Sequence, residues 1–273
     1  MMQIFQVDAF TKQLFRGNPA AVCVTDQALP ETSLQSIAQE MNLSETAFLY
    51  PEGNGYRLRW FTPTVEVDLC GHATLASAHV LWTEGYLQPN QVATFQTRSG
   101  TLMATQQAPD WITLDFPTNP SQLLPSATEQ LTEILGAPVL AVAQNSLGYI
   151  AELASADIVQ ALDPNLQQLE QLPVNGVIVT SRGQKQSEQS PSELTQYDFV
   201  SRFFAPQIGI PEDPVTGAAH CCLGPYWQQK LGQSEFFAYQ ASHRGGEVKV
   251  TCQGDRVLLQ GQAVTVLRGE LSL

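Results

Sequence analysis

The sequence predicts an α+β protein built from two similar halves, in each of which a curled, mostly antiparallel sheet wraps around a central helix. Three observations predict this fold class. Short runs of alternating apolar residues outnumber the helical patterns, one helical pattern is small and apolar on nearly every side, and a strand, turn and helix motif occurs twice along the chain.

Apolar alternation with a period of two predicts strands along the whole chain. The predicted strands are Ile4–Phe10, Ala20–Val24, Thr46–Tyr50, Tyr56–Phe61, Val92–Thr97, Trp111–Phe116, Gly176–Thr180, Tyr197–Phe204, Val248–Cys252, Val257–Gln260 and Val264–Leu267. Two pairs of them predict hairpins, one around Gly53-Asn54-Gly55 and one around the polar segment Ser181–Glu193, whose composition is typical of a solvated connector.

Two helical patterns of different kinds precede the middle of the chain. Apolar residues at helical spacing predict a surface helix that begins at Glu31 and ends at Asn42, with one buried stripe. The segment His72–Trp82, entered through Gly71, has no polar face. A helix of that kind must be enclosed on every side, so we predict that it lies at the centre of a curled sheet.

The chain contains an internal repeat. Arg59-Trp60-Phe61-Thr62-Pro63 recurs as Arg202-Phe203-Phe204-Ala205-Pro206, and Cys70–Ala78 has its counterpart in Thr216–Gly224. Each copy places acids in the loop between strand and helix, namely Glu66 and Asp68 in one and Glu212 and Asp213 in the other.

Proline and polar residues cluster near Pro117–Ser121, which suggests the boundary between the halves. We therefore expect one half over residues 1–117, joined by a final strand at about 263–273, and the other over 118–262. Two similar halves that face each other form a cleft, where we expect the active site.

Composition excludes several classes of protein. The 273 residues carry 13 Lys+Arg against 26 Asp+Glu, a formal net charge of −13, so a nucleic-acid partner is not expected. No apolar run approaches the roughly 18 residues of a membrane span. The five cysteines are irregularly spaced and the first residues lack an export signal, which predicts reduced thiols and a cytoplasmic location.

The two helices that open with Gly71 and Gly217 are candidate anion sites. A helix N-terminus presents free N–H groups and the positive end of the helix dipole, which suits the carboxylate of a small substrate. The alternative is that each glycine only lets its helix pack closely against the sheet.

Metal and cofactor patterns are not evident. Cys70 and His72 lie two apart across a turn, and His220-Cys221-Cys222 cannot all face one ion, so we expect no metal. Nucleophile-elbow, Walker and dinucleotide-binding patterns are missing, so we expect no cofactor.

Carboxylate chemistry remains as the candidate activity. Glu45 lies between the predicted helix and an apolar strand, where burial disfavours the charged form and produces the environment that a general base needs. The alternative is a glutamate that caps the helix or forms a salt bridge.

Several ordered motifs together resemble the PhzF-like isomerases of phenazine biosynthesis, relatives of diaminopimelate epimerase. They are Gly17–Val22, Asn42–Phe48, Arg59–Pro63, Cys70–Thr74 and Glu212–Gly217, and they span nearly the whole chain. The resemblance implies the diaminopimelate epimerase-like fold, a site between the halves, a small carboxylate-bearing substrate, no cofactor or metal, and a homodimer.

The resemblance also implies roles for particular residues. Glu45 would take a proton from one substrate carbon and help return it to another, while His72 and Asp213 would contact polar groups of the substrate. The carboxylate and its surroundings would be bound by the remaining positions, which are Asn18, Gly71, Ala73, Thr216, Gly217 and Ala218.

Two departures leave the substrate open. Ala218 stands where the phenazine enzyme has serine, and of the two cysteines that epimerases use, Cys70 is present while the second position holds Pro214. We predict a proton-moving isomerase. The alternatives are an amino-acid epimerase that uses Glu45 with Cys70, and a non-catalytic binding or scaffold protein.

Overall fold

The computed structural model describes residues 2–107, 110–183 and 193–272. Within these ranges the strands are β1 Met2–Ala9, β2 Asn18–Val24, β3 Glu45–Glu52, β4 Gly55–Phe61, β5 Glu66–Val67, β6 Ala93–Thr97, β7 Gly100–Gln107, β8 Trp111–Pro117, β9 Gln122–Leu123, β10 Val139–Gln144, β11 Tyr149–Leu153, β12 Val177–Arg182, β13 Phe199–Ala205, β14 Ile210–Asp213, β15 Glu235–Gln240, β16 Gly246–Gln253, β17 Arg256–Gly261 and β18 Ala263–Leu271. The α-helices are α1 Glu31–Met41, α2 Gly71–Thr83, α3 Thr128–Leu135, α4 Ala156–Ala161, α5 Leu166–Glu170 and α6 Gly217–Leu231.

The chain forms two compact units. The first consists of residues 1–116 and 260–273, and the second of residues 117–259. The last strand, β18, returns to the first unit, where it pairs antiparallel with β1.

The sheet of the first unit runs in the order β18, β1, β2, β3, β4, β6, β7, β8. The pairs β2–β3 and β4–β6 are parallel and the other pairs in this order are antiparallel. Each parallel pair follows from a helical connection, because α1 links β2 to β3 and α2 lies between β4 and β6. The short β5 pairs with the end of β4.

The sheet of the second unit repeats this scheme. Its strands run β9, β10, β11, β12, β13, β15, β16, with β11–β12 and β13–β15 parallel and β14 paired with β13. The repeated motif in the sequence is therefore a repeated arrangement of strands. The predicted fold class, mixed α and β with mostly antiparallel sheets, is confirmed.

Helix α2 is the enclosed helix that its sequence predicts. Ten of its thirteen residues are buried, and it packs against β1, β2, β3 and β18. Leu75 and Leu81 are fully buried, and burying a leucine side chain contributes about 1.5–3 kcal/mol. This packing fixes where the first turn of α2 lies relative to the sheet.

The structure also contains elements that the periodicity does not predict. Strand β7 carries mostly exposed polar residues and buries only Ala104, so it has no alternating apolar signal. Of the predicted connector Ser181–Glu193, residues 184–192 lie outside the described ranges. In the part of the chain that the structure covers, we find no helix with the length and apolar character needed to cross a bilayer.

Candidate active site

Glu45 is the first residue of β3, and the local sequence places it there. Helix α1 ends at Asn42, which adopts the left-handed conformation with φ 50° and donates its N–H to the Ala38 carbonyl. Asparagine tolerates this conformation better than most residues, so the chain leaves the helix sharply. Glu45 then lies opposite Ala20 in the parallel pairing of β2 and β3.

His72 is the second residue of α2 and faces the Glu45 side chain. Its Nε2 lies 3.1 Å from Glu45 Oε2, and the two side chains are only 6% and 13% exposed. On the other edge of the ring, Nδ1 lies 3.5 Å from the Cys70 sulfur and 3.3 Å from Asn18 Nδ2. The ring thus lies between a carboxylate on one edge and a thiol and an amide on the other.

Burial and neighbouring groups set the charges in this cluster. Burial disfavours the imidazolium, but the Cys70 sulfur and the Glu45 carboxylate outweigh it and hold the pKa of His72 well above its usual value. Burial, reinforced by the charge of Glu45, raises the pKa of Cys70 to about 11. The cluster therefore favours a protonated His72 ring beside Glu45, and burial disfavours a free Cys70 thiolate.

Two atoms of this cluster have unused hydrogen-bonding capacity. Glu45 Oε2 and His72 Nε2 are both buried, and apart from their 3.1 Å contact with each other neither makes a hydrogen bond to any residue within the described ranges. Buried polar atoms without such bonds are uncommon and costly. They are the atoms that a bound substrate group can satisfy.

The start of α2 adds backbone donors beside the cluster. Cys70 precedes the helix without a capping hydrogen bond from its side chain, and Gly71, His72 and Ala73 form the first turn. The first N–H groups of a helix have no partner within the helix. Asn18, the first residue of β2, lies against the same histidine.

Three metal-ligating side chains gather in this cluster, although their positions in the sequence give no metal signature. One ligand atom each of Glu45, Cys70 and His72 lies within 4.8 Å of the other two. The spacing of Cys70 and His72 along the chain does not indicate a metal site. The third candidate ligand, Glu45, arrives from a different strand.

The second unit organises Asp213 through a hydrogen-bonded network. The hydroxyl of Thr216 donates to Asp213 Oδ2 at 2.5 Å. The fully buried Gln240 donates from Nε2 to the Asp213 carbonyl at 2.7 Å and to Thr216 Oγ1 at 3.1 Å, and its Oε1 accepts from the Thr216 N–H at 2.9 Å. Because Thr216 Oγ1 accepts from Gln240, its own hydrogen is directed to Asp213.

The other acids of the two repeated loops are held in ion pairs. Arg59 forms a two-pronged pair with Glu66, with distances of 2.7 and 2.6 Å, and Arg202 forms the same pair with Glu212, with distances of 2.6 and 3.0 Å. Arg98 adds a second cation to Glu66. These glutamates therefore stabilise the repeated loops and are not available as bases.

The structure thus divides the predicted site residues between the units. The first unit brings Glu45, His72, Asn18 and the start of α2 together, with Cys70 at their side. The second unit holds Asp213, Thr216 and the first residues of α6, Gly217 and Ala218. Sequence reasoning missed Gln240, and a single glutamine in a glutamine-rich chain offers no signal that could have found it.

Comparison with solved structures defines the fold. A probable proline racemase from Agrobacterium radiobacter aligns with a TM-score of 0.64 at 11% identity, and the alignment covers 100% of this chain and 93% of that one. At this identity the likeness is one of fold alone. A PhzF family structure from Enterococcus faecalis is 40% identical, with a TM-score of 0.91 and coverage of 100% of this chain and 99% of that one. The fold is therefore that of the racemase and epimerase-like enzymes.

The family follows from the sequence comparisons. The family model for phenazine biosynthesis-like proteins matches residues 7–269, and this chain belongs to that family. An uncharacterized isomerase of Halalkalibacterium halodurans is 53% identical over 99% of this chain and 98% of its own length. A human phenazine biosynthesis-like domain-containing protein is 40% identical over 99% of both chains. The resemblance is confirmed, and with it the prediction that the chain is an isomerase.

Proposed function

We propose that the protein is a cofactor-independent isomerase that moves a proton on a small carboxylate-bearing substrate, with Glu45 as the general acid and base. The observation that carries the proposal is the buried pair of Glu45 and His72, whose Oε2 and Nε2 atoms lie 3.1 Å apart and make no hydrogen bond to any other residue within the described ranges. A buried carboxylate that is paired with one imidazole nitrogen keeps further lone pairs, and these can accept a proton from carbon.

The cluster suits a proton that leaves and returns through the same group. The carboxylate of Glu45 takes a proton from a substrate carbon, and the electron pair of that C–H bond passes into the conjugated system of the substrate. The resulting carboxylic acid then donates the proton to a different carbon, so that the double bond moves and the carboxylate is restored. The imidazolium of His72 stabilises the ionised glutamate at the start and end of this cycle.

The substrate-binding part of the proposal uses backbone donors and the second unit. The first turn of α2, with Gly71 and Ala73, offers N–H groups suited to a carboxylate. As the resemblance implies, Asp213 is assigned to the polar groups of the substrate and the Gly217 backbone to its carboxylate, with Thr216 and Ala218 as further substrate-binding positions. Ala218 lacks the hydroxyl of the phenazine enzyme's serine, which favours a substrate other than the phenazine precursor.

An epimerase that uses Cys70 as its second base receives less support. The pKa of Cys70 is raised to about 11, so the thiolate that would abstract a proton is scarce at neutral pH. The thiol is also buried, with 7% of the residue exposed.

The test is proton exchange in D₂O over a panel of small unsaturated carboxylates and amino acids, followed by ¹H NMR. We expect E45Q to reduce exchange and turnover by at least about 100-fold, the lower range for a lost acid–base group. The matched control is E40Q, which changes an exposed glutamate of α1 and is expected to have wild-type rates. Wild-type rates in E45Q would refute the assignment of Glu45.

The same panel distinguishes the remaining alternatives. Exchange at an amino-acid α-carbon that disappears in C70S would identify the epimerase. Binding of a carboxylate with no exchange in the wild-type protein would identify a non-catalytic binder.

A further inference from the structure

We propose that Glu45, Cys70 and His72 form a site for a thiophilic divalent cation, with Zn²⁺ as the physiological ion, and that this ion inhibits the isomerase. The inhibition rests on the proposed function, whereas the binding does not. The starting observation is that one ligand atom of each residue lies within 4.8 Å of the other two.

The donor set matches zinc chemistry. Zinc in proteins is bound by cysteine sulfur at about 2.3 Å, histidine nitrogen at about 2.0–2.1 Å and carboxylate oxygen at about 2.0–2.2 Å. One residue of each kind is present, and the thiolate disfavours magnesium and calcium, which prefer oxygen ligands only. Three protein ligands leave a fourth position open to water or to a substrate group.

The spacing is close to what a tetrahedral ion requires. With the bond lengths above, tetrahedral ligand atoms lie about 3.3–3.7 Å apart. The ring of His72 already lies 3.1 Å from the carboxylate and 3.5 Å from the sulfur. These two contacts use opposite nitrogens of the ring, whereas a single ion must be bound by one of them. The three ligand atoms lie within 4.8 Å of one another, so the longest of their separations must shorten by about 1 Å when an ion binds.

Burial supplies an independent reason for a ligand at this place. Glu45 Oε2 and His72 Nε2 are buried and lie 3.1 Å apart, and in the described part of the chain neither has a hydrogen-bond partner apart from the other. An ion held between them would satisfy both. The amide of Asn18, 3.3 Å from Nδ1 of the ring, then serves to orient the histidine, as groups behind metal ligands commonly do.

Binding would change the protonation of the cluster and the availability of Glu45. The thiol of Cys70 and the imidazolium of His72 each release a proton to solvent as the ion binds. The carboxylate of Glu45, engaged by the ion, can no longer accept a proton from substrate. A chelator would restore activity.

Titration of the metal-free protein with Cd²⁺ alone, monitored by thiolate-to-metal charge-transfer absorption, tests the binding. We expect the band to saturate at one equivalent, to be displaced by Zn²⁺, and to vanish in C70S. H72N and E45Q each remove a direct ligand and are expected to weaken Cd²⁺ binding by about tenfold or more. Loss of a residue that only supports a ligand already costs about that much. C23S, which changes a buried cysteine of β2, is the matched control and should keep the band.

Three results would overturn the site: no charge-transfer band in the wild-type protein, a band that persists in C70S, or a band that is lost in C23S. Circular dichroism of each variant establishes that it is folded, and Zn²⁺ should raise the melting temperature of the wild type but not of folded C70S. These measurements need no substrate. Failure of the metal site therefore leaves the E45Q exchange experiment, done in the presence of chelator, as a separate test of the isomerase.

Discussion

Two histidines of α2 should give opposite pH dependences of stability. His72 is paired with Glu45, and its pKa is held well above 6.5 in the folded protein. His79 is partly buried, with Nε2 3.0 Å from the Thr265 hydroxyl, and burial lowers its pKa to about 4. We compare H72N with H79N, the matched control on the same helix.

For His72, the folded state holds its proton more tightly than the unfolded state does. The contribution to stability is therefore complete below pH 6.5 and is lost as the pH rises through the folded-state pKa. Removing one partner of a buried ion pair costs about 3–5 kcal/mol. Because 13% of the Glu45 side chain is exposed and can be rehydrated, we expect about 3 kcal/mol for H72N at pH 6, and less above neutral pH.

For His79, the unfolded state binds the proton more tightly. The contribution of His79 to wild-type stability should therefore fall as the pH drops from 6.5 to 4. A pKa lowered from 6.5 to about 4 corresponds to a loss of up to about 3 kcal/mol. H79N removes this loss, so the variant gains relative to the wild type in acid.

The assay is urea unfolding between pH 4 and 9, in the presence of a chelator. The stability difference between wild type and H72N should shrink at high pH, and the difference between wild type and H79N should change in the opposite direction in acid. The same pH trend in both variants, or no trend in H72N, would refute the charged state assigned to the Glu45–His72 pair.

Two further predictions concern the loops that position the site. T216V removes the hydroxyl that donates to Asp213 at 2.5 Å. We expect it to lower kcat/KM about tenfold, the effect of losing one hydrogen bond to a charged group. T216S keeps the hydroxyl and should stay near the wild type, so equal losses in both variants would contradict the role of the hydroxyl. G17A should lower the melting temperature more than G53A does. Both glycines have positive φ, of 64° and 59°. A Cβ at Gly17 would also collide with the Ala9 carbonyl oxygen, whereas a Cβ at Gly53 would face open space. We expect about 1 kcal/mol for G53A and several for G17A, and equal melting temperatures would show that the loop before Asn18 is free to move.

The sequence predicts local features wherever a single segment carries the whole signal. The sequence predicts the enclosed helix over His72–Trp82, entered through Gly71, because these residues leave no polar face, and the structure has it at Gly71–Thr83. It predicts the end of α1 at Asn42 because asparagine suits the left-handed conformation. Strand β7 was missed because its side chains are mostly exposed and polar, so its pairing with β6 and β8 leaves no periodic trace.

The acids of the repeated loops show the limit for the site. Glu66, Asp68, Glu212 and Asp213 look alike in the sequence, and only the side-chain contacts separate them. Glu66 and Glu212 form ion pairs with Arg59 and Arg202, whereas Asp213 accepts a hydrogen bond from the Thr216 hydroxyl. Whether each acid is available to a substrate depends on its side-chain partner, which lies seven residues away for Glu66, ten for Glu212 and three for Asp213.

The sequence by itself determined the kinds of group available, the duplicated arrangement of strands and helices, and the family, because these depend on residue type and order. The tertiary structure decided that Glu45 meets His72 with Cys70 behind the ring, and that Gln240 directs the Thr216 hydroxyl. Distance and burial set the protonation of these groups, and both arise only when strands remote in sequence pack around a shared helix.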